Sequence, residues 1–141
     1  MNGSSRVLVL GGGVGGLVAA VELRKKLPEQ HRIVLVDREE QHLFAPSLLW
    51  LMIGLRTAEN ISRPLDLLKR KGIEVVHGEI ERIDPESRQV VVDGTTHGGD
   101  YLVISLGAEL APETIPGLAE AGYNLYSLSG AEALREAFRD F

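Results

Sequence analysis

Gly11, Gly13 and Gly16 stand in the spacing G-x-G-x-x-G, inside "GGGVGG" (11 to 16), where five of six residues are glycine. A residue without a side chain is needed where backbone must come close to a ligand or to another element. In this spacing the first glycine permits a tight turn and the second lets backbone approach a pyrophosphate. The third lets a helix pack close to a strand. A helix beginning at Val14 would offer phosphates the amides of Val14, Gly15 and Gly16 and a partial positive charge. Asp37, 21 residues after Gly16, is placed to bond a ribose hydroxyl. A carboxylate there repels a 2′-phosphate and so disfavours an NADP-type adenosine. The pattern is one of dinucleotide binding, and NAD and FAD share it.

These residues need a strand before the turn and a helix after it. "RVLVL" (6 to 10) is short and continuously apolar, as a parallel strand covered on both faces must be. Val14, Leu17, Val18 and Val21 fall at helical spacing and predict a helix facing the sheet with that stripe. Arg24, Lys25 and Lys26 suit its negative end, and Pro28 follows. "RIVLVD" (32 to 37) is a second buried strand, which completes a βαβ unit. Pro64, Leu65, Leu67, Leu68 and Gly72 predict a short helix, and "IEVVH" (73 to 77) a third strand. From Glu79 to Gly99 alternating short strands and turns predict an antiparallel excursion. "YLVISLG" (101 to 107) is a further buried strand, and 131 to 141 is helical in pattern. The fold class is α/β, a Rossmann-like three-layer fold with a central parallel sheet and an inserted antiparallel β-meander.

Composition narrows the function further. The 141 residues carry 15 basic and 20 acidic side chains, a net charge of −5, which offers no electrostatic footprint for nucleic acid. The absence of cysteine from this chain excludes disulfides, a thiolate nucleophile and cysteine metal sites within it. No histidine and carboxylate grouping has metal-ligand spacing, and no Ser-His-Asp arrangement emerges, so no catalytic residue is assigned. His31 and His97 are expected in solvated turns, His77 in a structural place at a strand end. His42 reads either as a turn residue or as the neighbour of a phosphate. "LLWLMIGL" (48 to 55) is too short to span a bilayer, and the expected setting is intracellular.

Four features in order carry a resemblance: the glycine turn, the antiparallel excursion, "DYLVISLG" (100 to 107) and "IPGL" (115 to 118). Together they resemble the N-terminal FAD-binding part of the pyridine nucleotide-disulfide oxidoreductase superfamily, over all 141 residues. "HLFAPSLLWLMIGL" (42 to 55) is similar to the corresponding segment of sulfide:quinone oxidoreductases, flavocytochrome c sulfide dehydrogenases and type II NADH dehydrogenases. The resemblance implies Phe44 and Pro46 near the flavin ring, followed by an apolar helix; Leu49 and Leu51 are expected to cover the sheet whether or not it holds. Core packing or an interface is favoured over ligand stacking for Trp50. Arg38 is expected over the adenine or in solvent, and the backbone of Gly78, Glu79 and Ile80 at the adenine edge. Ser105 and Gly107 hold places where the chain passes the pyrophosphate, although Leu106 occupies the usual threonine slot.

The implied protein is a flavin-dependent oxidoreductase that moves electrons from NAD(P)H or sulfide to a quinone or similar acceptor. Ser127 and Ser129 stand where sulfide-oxidising relatives carry a cysteine, which weakens the sulfide alternative. The chain is expected to be one FAD-binding domain (1 to 141) of a longer protein, in the cytoplasm or at the inner face of the membrane. NAD(P)H would be bound by a further domain, and membrane contact would come through further chain. Self-association is expected through the edge beside "YLVISLG" or through "LLWLMIGL". A NAD-binding domain of a simple dehydrogenase and a non-catalytic dinucleotide sensor remain the alternatives.

Overall fold

The computed structural model describes residues 3–139. Its chain divides into two compact units, Met1–His42 with Pro64–Gly107, and Leu43–Arg63 with Ala108–Phe141.

The first unit opens with β1 (Arg6–Leu10), α1 (Val14–Lys26) and β2 (Arg32–Asp37). Next comes β3 (Gln41–Leu43), which ends at the boundary between the units. The second unit supplies α2 (Leu48–Met52) and α3 (Ala58–Ile61), and β4 (Ser62–Pro64) pairs with β3. A 3₁₀ turn, Leu65–Lys71, leads to β5 (Glu74–His77). The meander follows as β6 (Ile80–Asp84), β7 (Gln89–Val92) and β8 (Thr95–Gly98), and β9 (Tyr101–Ile104) closes the first unit. α4 (Leu118–Ala121) and α5 (Leu128–Arg139) belong to the second.

The central sheet has the order β5-β2-β1-β9, with every pair parallel. Alternate residues of β1 and β2 feed two separate cores. Val7, Val9, Ile33 and Leu35 pack with Ala20, Leu65, Leu68 and Ile73 on the helical side. Leu8, Leu10, Val34 and Val36 pack with Val90 and Val92 of the meander on the other. Three layers result, helix, parallel sheet and antiparallel sheet, as the sequence predicts.

The face that α1 turns to the sheet differs from the predicted stripe. Val14 and Val18 are more than half exposed, whereas Gly16 and Ala20 are buried and Leu17 and Val21 flank them. Two small residues one turn apart allow a closer approach than two valines, so the contact line runs through them. At the far end the Arg24 guanidinium donates to the carbonyls of Leu27, Pro28 and His31, at 2.6–2.8 Å, and ties down the helix exit. The short helix predicted after Pro64 is present as a 3₁₀ helix, Leu65–Lys71, closed by Gly72 at φ +75°.

In the second unit Leu48, Leu51, Ile61 and Ala131 form a small core with Leu43, Ala58 and Leu128. The five residues of α2 bury one face only, through Leu48 and Leu51. Leu49 and Trp50 therefore lie on its exposed side, contrary to the expected covering role of Leu49 and to core packing of Trp50. The Arg56 guanidinium sits 5.3 Å from the Trp50 ring centroid and also donates to the buried Ser47 hydroxyl. α5 starts three residues before the predicted Ala131, because the Ser127 hydroxyl accepts the Gly130 N–H and acts as its cap. The last two residues of the predicted helix, 140 and 141, lie outside the described residues.

Arg32 and Glu74 join β2 and β5 by two parallel hydrogen bonds of 2.7 and 2.8 Å. The guanidinium holds the Glu74 carboxyl below its ordinary value of 4.5. A depressed carboxyl stabilises the fold above the unfolded-state value and loses that contribution as pH falls through the folded-state one. Glu74→Gln is expected to lower stability by about 0.5 kcal/mol at neutral pH, as for an exposed pair. In urea denaturation its midpoint should converge with the wild type as the medium is acidified.

Candidate functional site

In the β5-β2-β1-β9 order the sheet reverses its winding between β1 and β9. Ligands of open α/β sheets bind in the crevice outside the strands' carboxyl ends at such a point. The glycine turn leaves β1 there, and the segment from Ser105 to Gly107 leaves β9 beside it. The Ser105 N–H donates to the Leu10 carbonyl at 2.8 Å and continues the ladder past the last strand residue.

Each glycine of the turn has its own reason. Gly11 adopts φ +99°, and a Cβ on it would lie 2.2 Å from the Ser105 carbonyl oxygen. A Cβ on Gly16 would lie 1.8 Å from the Gly11 oxygen, and one on Gly15 would lie 2.6 Å from Ser105 Oγ. At Gly13, the residue before α1, a Cβ would meet nothing within 4 Å. No side chain caps this helix and no acidic residue lies in its first turn. Leu17 makes the first bond of the helical ladder, to the Gly13 carbonyl, so the amides of Val14, Gly15 and Gly16 precede it. Open space bounded by helix N-terminal amides fits a pyrophosphate.

Asp37 ends β2. Its Oδ2 accepts the Gly12 N–H and its Oδ1 accepts the Glu39 N–H at 2.7 Å. Arg38 reaches the carboxylates of Glu39 at 3.6 Å and Glu79 at 3.7 Å, with about half of its side chain exposed. The Gly78 N–H donates to the Asp37 carbonyl at 3.1 Å. Glu79 is gripped by Asp93, whose Oδ1 accepts its N–H and whose N–H donates to its carbonyl. Ile80 enters the meander opposite Val92. Gly107 has φ +77° with open space around it, and Leu106 is half exposed. In the second unit Phe44 is about half exposed, and Pro46 sits in the 3₁₀ turn Ala45–Ser47.

The histidines require corrections. His31 lies in the turn before β2 as expected but is only partly exposed, and its Nδ1 accepts the Ser5 N–H at 3.2 Å. His97 lies half-buried in β8 opposite Val90. His77 bonds Asp66 at 3.0 Å, and Lys69 and His77 together hold that carboxyl below its ordinary range. His42 Nδ1 stands 2.9 Å from the Gly12 carbonyl. Asp93 is absent from the predicted site, and His42, read as a turn residue or a phosphate neighbour, lies in β3 beside the glycine turn. The hairpin signal Asp93-Gly94 was available for the first, but its hold on Glu79 depends on chain folding back from β7. Among the described residues no group of three or more histidines and acids could hold a metal.

The family model for pyridine nucleotide-disulphide oxidoreductases matches residues 5–140. The chain belongs to this family. Demethylphylloquinone reductase from Synechocystis sp. is 32% identical over 143 residues, which cover 95% of this chain and 35% of the relative. Sulfide-quinone reductase from Aquifex aeolicus is 38% identical over 113 residues, 76% of this chain and 25% of that protein. The solved A. aeolicus sulfide:quinone oxidoreductase superposes with a TM-score of 0.91 at 31% identity, over 97% of this chain and 32% of the other. The chain thus spans only about a quarter to a third of the length of the curated relatives it matches, 35% and 25% for these two. Membership of the pyridine nucleotide-disulphide oxidoreductase family and the three-layer fold agree with the resemblance drawn from the sequence.

The glycine geometry separates two kinds of damage. Gly16→Ala forces backbone apart and is expected to cost about 3 kcal/mol, at the upper end for overpacking. Gly13→Ala should cost about 1 kcal/mol or less, as a change at a helix cap. Thermal melts of the two variants check this order, which equal melting temperatures would contradict.

Proposed function

We propose that the chain is the FAD-binding part of a flavin-dependent oxidoreductase moving electrons from NAD(P)H or sulfide to a quinone or similar acceptor. The observation that carries this reading is the open space at Gly13, at the mouth of α1 and within one residue of the Asp37 contact. In this proposal the amides of Gly13 to Gly16 bind the pyrophosphate, with Gly11 shaping the turn beneath them. Asp37 holds a ribose hydroxyl, and Arg38 with the 78–80 backbone flanks the adenine. Ser105 and Gly107 border the pyrophosphate, while Phe44 and Pro46 approach the ring. When bound, the flavin supplies the electron transfer and the chain supplies binding, orientation and electrostatics.

The quinone in the names of relatives that align with 76–96% of this chain supports a quinone acceptor. It also supports work at the cytoplasmic face of a membrane. No helix among the described residues is long and apolar enough to cross one. Tyr101 and Ile104 are exposed on β9, which ends the sheet, and that edge would serve self-association.

Titration of the ligand-free chain with FAD, FMN and NAD, followed by flavin fluorescence and calorimetry, tests the cofactor. Saturable FAD binding is expected, with FMN at least about tenfold weaker because it lacks the adenosine half. Asp37→Ala should weaken FAD by about 1–2 kcal/mol. Gly13→Val should abolish binding while far-ultraviolet dichroism stays near wild type. Tight NAD binding without FAD binding would establish the simple dehydrogenase alternative instead.

A further inference from the structure

The peptide groups around Gly12 are held from two sides. Asp37 Oδ2 accepts the Gly12 N–H, and His42 Nδ1 lies 2.9 Å from the Gly12 carbonyl oxygen. A carbonyl only accepts, so Nδ1 carries the proton and the neutral ring is the Nδ1–H tautomer. His42 is half-buried in the middle of β3, whose backbone fixes where the ring stands.

In a trans peptide the carbonyl and the following N–H lie in one plane and point in opposite directions. Turning the Gly12 carbonyl toward His42 therefore turns the Gly13 N–H away from it. A Cβ on Gly13 would meet nothing within 4 Å, so there is room for a ligand beside this residue. The preceding peptide obeys the same geometry. Its N–H, on Gly12, points to Asp37, so its carbonyl, on Gly11, points away, against the α-carbon of Gly16. Three successive glycines have no side chain to favour these orientations, and the two clamps favour them.

We propose that His42 is a positioning residue of the dinucleotide site, whose Nδ1–H holds the Gly12 carbonyl and thereby presets the Gly13 N–H to meet a phosphate oxygen. This rests on the dinucleotide reading above and needs no contact between His42 and the ligand. Presetting the loop removes ordering entropy that binding would otherwise have to supply.

Three variants and one spectrum test it. Asparagine carries an N–H close to the place of Nδ1, whereas glutamine and leucine do not. His42→Asn should keep FAD affinity within about threefold of wild type, and His42→Gln and His42→Leu should lose about tenfold. This order should hold whatever the order of their melting temperatures, and affinity that merely follows melting temperature would overturn the proposal. Equal FAD affinity in all four proteins would also overturn it. ¹⁵N NMR of the ligand-free chain should show the Nδ1–H tautomer at His42, and the Nε2–H tautomer would refute the clamp without any ligand present. A wild-type chain with the Nδ1–H tautomer that binds no FAD would overturn the cofactor reading, and with it the role given to His42.

Discussion

Backbone meets backbone where α1 leaves the glycine turn. A Cβ on Gly16 would fall 1.8 Å from the Gly11 oxygen and 3.4 Å from the Val9 side chain, so only glycine lets the helix start this close to β1. The first unit depends on that approach. It brings Ala20, one turn on, onto the sheet and leaves Leu17 and Val21 to seal its sides. It also places peptide groups, rather than side chains, at the end of β1. A site built from peptide dipoles is uniform and uncharged, and its selectivity must come from neighbours such as Asp37.

Those neighbours form a connected polar frame. Asp37 reaches the turn through Gly12 and the next segment through its own carbonyl, which accepts the Gly78 N–H. Asp93 then secures Glu79 from the meander side. One strand end thus links the glycine turn after β1 to the segment after β5, through one side-chain bond and one backbone bond, and Arg38 lies across the same join between Glu39 and Glu79. The meander contributes both a hydrophobic cover and a polar tether.

The parts legible in the sequence were those with local causes. Continuous apolar runs mark β1 and β2, glycine spacing marks the turn, and turn residues at 85–87 and 94–95 mark the meander. Asp37 followed from its distance to Gly16. What escaped depended on contacts between distant segments. Periodicity chose Val14 and Val18 for the buried stripe because it weighs size and apolarity, whereas close approach rewards Gly16 and Ala20. The exposure of Leu49 and Trp50 follows from the shortness of α2, which no apolar run discloses. The bond from His42 to Gly12 spans 30 residues and has no sequence spacing of its own.

The strict alternation along β1 has an evolutionary corollary. Val7 and Val9 serve the helical layer, while Leu8 and Leu10 serve the meander layer, with no residue shared. Side-chain volume is therefore partitioned by parity, the smaller residues under the helix and the larger under the antiparallel sheet. Insertion or deletion of a single residue in β1 would exchange the two sets at once and misfit both interfaces together. Point substitutions, by contrast, affect one interface at a time. Each covering layer can drift or be replaced independently, provided that the strand between them keeps its count.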